Sequence, residues 1–157
     1  MTCNMAYRKR VLDKIGYFNA KYDGYDNEDT ELALRAIDQG EYYNRAEDAV
    51  VFHQQSFWSA KSLLKSARNA AAWSLLKKEY PDNYLFFGGP VKFGVVVSPI
   101  DYFYILFFPV ILPVVLGRYL LNGKKDLKIF FAKWPTYLIL RRYYIWSEAI
   151  KNKILMI

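Results

Sequence analysis

Between residues 93 and 117 the chain carries one charge, Asp101, and between residues 102 and 117 it carries none. A run of ~20 mostly apolar residues is long enough to cross a bilayer. Pro99, Pro109 and Pro113 interrupt it, and each removes a backbone donor that a helix in lipid must replace locally. Arg118, Lys124, Lys125 and Lys128 follow at once, and Lys92 precedes. Cations beside an apolar segment favour the cytoplasmic side, so both flanks ask for the same face. A re-entrant or surface-lying hairpin over the hydrophobic run 93–121 satisfies this better than one clean span; a kinked span is the alternative. Residues 129–146 are again apolar and aromatic, broken by Lys133, Pro135, Arg141 and Arg142. Tyr, Trp and Arg together suit the interfacial zone, where basic heads snorkel.

Charge divides the chain in the same way. The net charge is +7, but residues 1–56 carry −3 and residues 57–157 carry +10. The basic residues flank apolar runs, which favours a membrane with anionic lipids as partner and argues against nucleic acid. A soluble basic interaction protein, with the aromatic runs as its core, is the competing reading. Cys3 is the one cysteine, which rules out an intrachain disulfide and fits a reducing compartment. No charged segment followed by an apolar stretch opens the chain, so no cleaved signal peptide is expected.

The chemistry-bearing residues lie in the acidic third. Residues 4–18 predict a short helix with Val11, Leu12 and Ile15 on one face and Gly16 as its stop. Residues 19–26 have loop composition. Asp26 or Asn27 can cap the next helix, whose first turn holds Glu28, Asp29 and Glu31, where the helix dipole favours negative charge. Leu32, Ala33, Ala36 and Ile37 form its buried stripe, and Gly40 its left-handed stop. Residues 49–53 predict a short buried strand ending in His53, the single histidine. A longer helix is expected over residues 56–80, closed by Pro81-Asp82-Asn83.

Adjacent carboxylates on a helix point in different directions, so one of Glu28 and Asp29 can face a cleft while the other braces the backbone. A carboxylate at a helix N-terminus stays ionised, as a general base must be. His53 at a strand end can ligate a divalent metal beside a phosphate or serve as a structural hydrogen-bonding residue. Gly88-Gly89-Pro90 lacks the Lys-Ser/Thr of a phosphate loop.

Asn4-Met5-Ala6-Tyr7-Arg8, Ile15-Gly16-Tyr17-Phe18-Asn19, Glu28-Asp29, Leu32, Arg35, Gly40 and Asp48-Ala49-Val50-Val51-Phe52-His53 together resemble the C-terminal part of the catalytic domain of family 2 glycosyltransferases. The likeness covers about residues 2–56. It implies an α/β fold: an incomplete GT-A nucleotide-diphospho-sugar transferase fold, acceptor-side portion, over residues 1–85, followed by mainly helical membrane-associated segments over residues 86–157. It implies an inverting transfer, of hexosyltransferase type, from a nucleotide-diphospho-sugar to a glycan or lipid-linked acceptor such as a cell-envelope polysaccharide. Asp29 is then the catalytic base and Glu28 its support. Asn4 and Arg8 lie on the acceptor side, with Trp58 a further substrate-binding candidate, and His53 sits near the metal. The family's Mg²⁺ or Mn²⁺ is held by an Asp-x-Asp motif in a donor-binding half that this sequence does not contain. Three alternatives follow: a fragment of a longer protein, pairing with a separate donor-binding chain, or a degenerate remnant. Alone, the chain is expected to be inactive, membrane-associated and cytoplasmic on its catalytic side. A non-catalytic membrane-associated interaction module is the alternative function.

Overall fold

The computed structural model describes residues 4–52 and 59–157. Among these the chain is mostly helical. Helix α1 (Lys9–Ile15) buries Val11 and ends at Gly16, whose φ of 85° gives the left-handed stop. A 3₁₀ turn (Ala20–Tyr22) leads to α2 (Glu28–Asp38). Leu32, Ala33 and Ala36 of the expected stripe are buried, Ile37 is half-buried, and Glu31 and Leu34 are buried as well. Burial therefore runs round more of α2 than an amphipathic pattern suggests, because the helix is packed on more than one side.

Asn27 occupies the cap position of α2 but makes no side-chain cap bond. Its amide donates instead to the carbonyls of Tyr25 (2.8 Å) and Asn69 (3.1 Å). The second of these explains a departure from expectation. The helix expected over residues 56–80 is two helices, α3 (Ala60–Asn69) and α4 (Ala72–Glu79); residues 56–58 lie outside the described residues. Tight i→i−3 bonds from Ala71, Trp73 and Ser74 replace the helical ladder at the join. The end carbonyl of α3 is left without a partner in its own ladder, and Asn27 takes it. Small side chains at Ala67, Ala71 and Ala72, all buried, let the join sit deep in the fold. At its start α3 is closed by a reciprocal cap between Ser59 and Ser62.

The expected strand differs too. Residues 49–52 form no strand, and Val50, Val51 and Phe52 are exposed. A β-branched run becomes a strand only against a neighbouring strand, and the one sheet among the described residues lies elsewhere. It is a hairpin of β1 (Val91–Lys92) and β2 (Val96–Val97), pairing Val91 with Val97. The C-terminus extends it: Ile157 donates to Val95 O at 2.8 Å and accepts from Val97 N at 2.6 Å.

Three helices follow: α5 (Ile100–Leu106), α6 (Phe108–Leu121) and α7 (Leu127–Phe131). A kinked stretch at Ala132–Thr136 then leads to α8 (Tyr137–Asn152). Helix α8 packs on α3 and α4. The main core joins Leu34 of α2, Leu75 and Leu76 of α4, Val97 of the hairpin, Ile145 of α8 and Met156.

Helices α5 and α6 meet at 98°. Pro109 explains the break: it has no N–H to give to the carbonyl four residues back, and its ring crowds that carbonyl. No single described helix is long and apolar enough to cross a membrane. No residue of α6 is fully buried among the described residues, and Leu106 of α5 and Val110 and Leu121 of α6 are 73%, 69% and 89% exposed.

Gly16 is held by both conformation and space. Besides its positive φ, a Cβ there would lie 3.2 Å from Arg35 Nη1, whereas Gly40 (φ 77°) has open space. Gly16→Ala should therefore cost about 1–3 kcal/mol, and more than Gly40→Ala. Urea unfolding in mild detergent, followed by circular dichroism, checks the order; equal losses would show that Arg35 does not crowd this turn.

Candidate functional site

The Glu31 carboxylate is fully buried in α2. Arg35, one turn on, grips it with two parallel bonds, Nε to Oε1 at 3.0 Å and Nη2 to Oε2 at 2.9 Å. The Tyr80 hydroxyl donates to Oε1 at 2.6 Å. The same guanidinium donates to the carbonyls of Ile15 and Tyr17, both at 2.7 Å. One side chain thus fixes the turn after α1 against α2, and Gly16 lies between the two carbonyls it holds. Nearby, Tyr22 donates to Glu79 at 2.7 Å, and Lys21 pairs with the same carboxylate.

This frame sets the place of Asp29. It lies on the first turn of α2, half-buried, and its Oδ1 accepts from the Thr30 N–H (2.6 Å) and hydroxyl (3.1 Å). Glu28 precedes it, also half-buried. Residues 4–8 run close by. Burial pushes the Tyr7 phenol up from its ordinary pKa and the negative charge of Asp29 adds to this, while Arg35 works against both. The Asn4 amide bonds the Ala49 carbonyl, tying this segment to the stretch after α2.

Between them opens a cleft of about 710 Å³. Asn4 and Arg8 line it, with Ala33, Ala36 and Ile37 from α2, residues 41–47 and Phe87. Tyr43, Phe86 and Phe87 stack edge to face beside it, with centroids 4.9–5.9 Å apart. Cations crowd one wall: Lys14, then Arg10 and Arg8, hold the Glu41 carboxyl below its usual range. The structure therefore brings Asn4 and Arg8 together in one cleft. Glu28 and Asp29 are not among its lining residues; Asp29 adjoins it through Tyr7. His53 and Trp58 lie outside the described residues.

No three His, Cys, Asp or Glu side chains come together as a metal site among the described residues.

The first-turn position of Glu31 suggests a role in the helix dipole, whereas the structure buries it. The signal was its i,i+4 spacing to Arg35. Sequence reasoning also passes over Asp101, fully buried on α5 and bonded by Arg141 and Arg142 of α8; a lone acid in an apolar run with two arginines downstream was the available clue.

Comparison with family models, curated proteins and solved structures finds no match to this chain.

Burial, and then hydrogen bonding to Glu79 and Glu31 respectively, raises the phenols of Tyr22 and Tyr80 above their ordinary pKa. Unfolded tyrosines ionise near pH ~10, so above that pH unfolding releases protons. Stability should be level below pH ~10 with respect to these groups and fall as pH rises further, by up to ~1.4 kcal/mol per pH unit for each phenol. Tyr80→Phe should lower stability at neutral pH by about 1–3 kcal/mol, since Glu31 loses a donor, and flatten the alkaline fall. Urea midpoints between pH 8 and 11 test both; an unchanged alkaline slope would remove Tyr80 from the network.

Proposed function

We propose that this chain is the acceptor-side, membrane-associated portion of an inverting glycosyltransferase with an incomplete GT-A fold. The observation that carries the reading is the placement of Asp29. It stands on the first turn of α2, next to the segment whose Asn4 and Arg8 line the cleft. The cleft volume falls within the ~300–1,000 Å³ typical of small-ligand sites. Tyr42, Tyr43 and Phe87 on its wall offer ring faces to a sugar, and Arg8 and Asn4 offer donors to its hydroxyls. The sequence pattern of residues 2–56, with its likeness to family 2 glycosyltransferases, supports the same reading.

In the proposed reaction an acceptor hydroxyl attacks the anomeric carbon of a nucleotide-diphospho-sugar. Asp29 takes the hydroxyl proton, the new C–O bond forms, and the bond to the diphosphate breaks on the opposite face. The nucleoside diphosphate leaves with the electron pair, and the anomeric configuration inverts. Glu28, on a different face of the same turn, supports the base or touches the acceptor. Donor binding, with its Mg²⁺ or Mn²⁺, is assigned to a donor-binding half beyond the described residues, in the same polypeptide or a separate chain. The acceptor is a glycan or a lipid-linked sugar. The α5–α6 pair, with Arg118, Lys124, Lys125 and Lys128 beside it, is proposed to lie in an anionic leaflet, with the catalytic portion on the cytoplasmic face. A second reading, a non-catalytic membrane-associated module, is favoured by one observation: neither Glu28 nor Asp29 lines the cleft itself.

Asp29→Asn keeps the size of the side chain and removes the base. In membranes carrying the complete enzyme, transfer from a labelled nucleotide sugar should drop about 10²–10⁴-fold, with protein abundance unchanged. Near-normal turnover would exclude Asp29 as the base and leave the module reading in front.

A further inference from the structure

We propose that the junction of α5 and α8 holds a site for a phosphate-class oxyanion, built on Arg142, Arg141 and Tyr102. Asp101, fully buried, accepts from Arg141 Nε at 2.7 Å, from Arg141 Nη2, and from Arg142 Nη2 at 3.0 Å. One carboxylate faces two guanidiniums, and arginine does not deprotonate in proteins. The cluster therefore carries one positive charge in excess. Arg141 uses its remaining capacity locally, donating from Nη1 to the Tyr137 hydroxyl at 2.8 Å. Arg142 does not. It is 2% exposed, and its Nε and Nη1 find no hydrogen-bond partner among the described residues. Tyr102, whose ring lies 4.9 Å below the Arg142 guanidinium, has an unpartnered hydroxyl as well. Among the described residues five buried side-chain polar atoms lack a partner, and three of them belong to these two residues.

Buried donors without acceptors are rare in folded proteins. Here they coincide with unbalanced positive charge, which selects an anion over a neutral ligand. The forked donors of arginine match the oxygens of phosphate. The other acid near the C-terminal end of α8, Glu148, is already engaged by Tyr25, Asn152 and Lys151 and is not available to neutralise Arg142.

The surroundings are those of a lipid headgroup level. Trp134 and Tyr104 stack edge to face at 4.9 Å, and Lys133 lies 6.0 Å over the Trp134 ring. On α5 itself Phe103 and Leu106 are exposed. Aromatic rings and cations beside apolar helices favour the membrane interface, so the oxyanion comes from a lipid headgroup or from free phosphate. This site is independent of Asp29 and of the transferase reading.

The test uses the full chain in uncharged detergent micelles at neutral pH, titrated with inorganic phosphate, with short-chain phosphatidic acid, or with chloride at matched ionic strength. Thermal midpoint and ³¹P line width are the readouts. Inorganic phosphate should raise the midpoint and broaden its resonance, and chloride should do neither. Arg142→Gln should weaken the response at least tenfold, with Arg142→Lys intermediate because it keeps the charge and loses the fork. Tyr102→Phe, which removes only an unpartnered hydroxyl and so should leave folding intact, should weaken the response severalfold. A response to phosphatidic acid at tenfold lower concentration than to inorganic phosphate supports the site with a lipid as its source; equal potency supports it with free phosphate. An equal response to chloride, no response to either phosphate, or a full response in both Tyr102→Phe and the folded Arg142 variants would overturn it.

Discussion

A charged carboxylate buried without exposure has to be paired or destabilises the fold, and Glu31 is met by three donors. Removing one partner from such a group typically costs about 3–5 kcal/mol when a charge is left uncompensated. The acceptable arrangements are therefore few. Arg35 has to come from the next turn of α2, Tyr80 from the end of α4, and the guanidinium's remaining hydrogens have to find the carbonyls of Ile15 and Tyr17. That last condition requires a residue of positive φ and no Cβ between them, which is Gly16. The rotation of α2 about its axis follows, and with it the place of Asp29 beside Tyr7. The candidate site is a consequence of this pairing more than of any contact its own residues make.

The second buried acid behaves differently. Glu31 meets one guanidinium and a phenol; Asp101 meets two guanidiniums. The first cluster is balanced and serves as a fixed joint between three segments. The second joins α5 to α8 with charge left over, at the base of a helix pair whose second member, α6, has no fully buried residue. The acidic third of the chain thus holds Glu31 for position, whereas the basic remainder leaves one guanidinium, Arg142, only partly paired.

Much of this was legible in the residues. The capping composition before α2, the acidic first turn and Gly40 mark a helix that the structure places at Glu28–Asp38. Val11 and Gly16 mark the inward face and the end of α1. What failed did so where a distant partner decides. At the break between α3 and α4, the freed Asn69 carbonyl is taken by Asn27, 42 residues away. No local pattern announces that bond, and an Ala-rich stretch reads as uninterrupted helix. Val50-Val51-Phe52 has strand composition, but composition cannot supply the neighbour a strand needs. Glu31 and Asp101 look like surface charges until their arginines are located. Of the candidate site, the resemblance puts Asn4 and Arg8 on the acceptor side, and the two line one cleft in the structure, whereas Glu28 and Asp29 are not among its lining residues.

The proposed chemistry makes a demand that geometry alone does not. A single base on one side of the acceptor, acting without a covalent intermediate, gives one displacement and hence one stereochemical result. The most direct measurement is the anomeric configuration of the product formed when membranes carrying the native, complete protein are supplied with nucleotide-diphospho-sugars, read by NMR against the configuration of the donor. Inversion is expected. Retention would contradict the role given to Asp29, and failure to transfer from any donor would contradict the transferase reading as a whole.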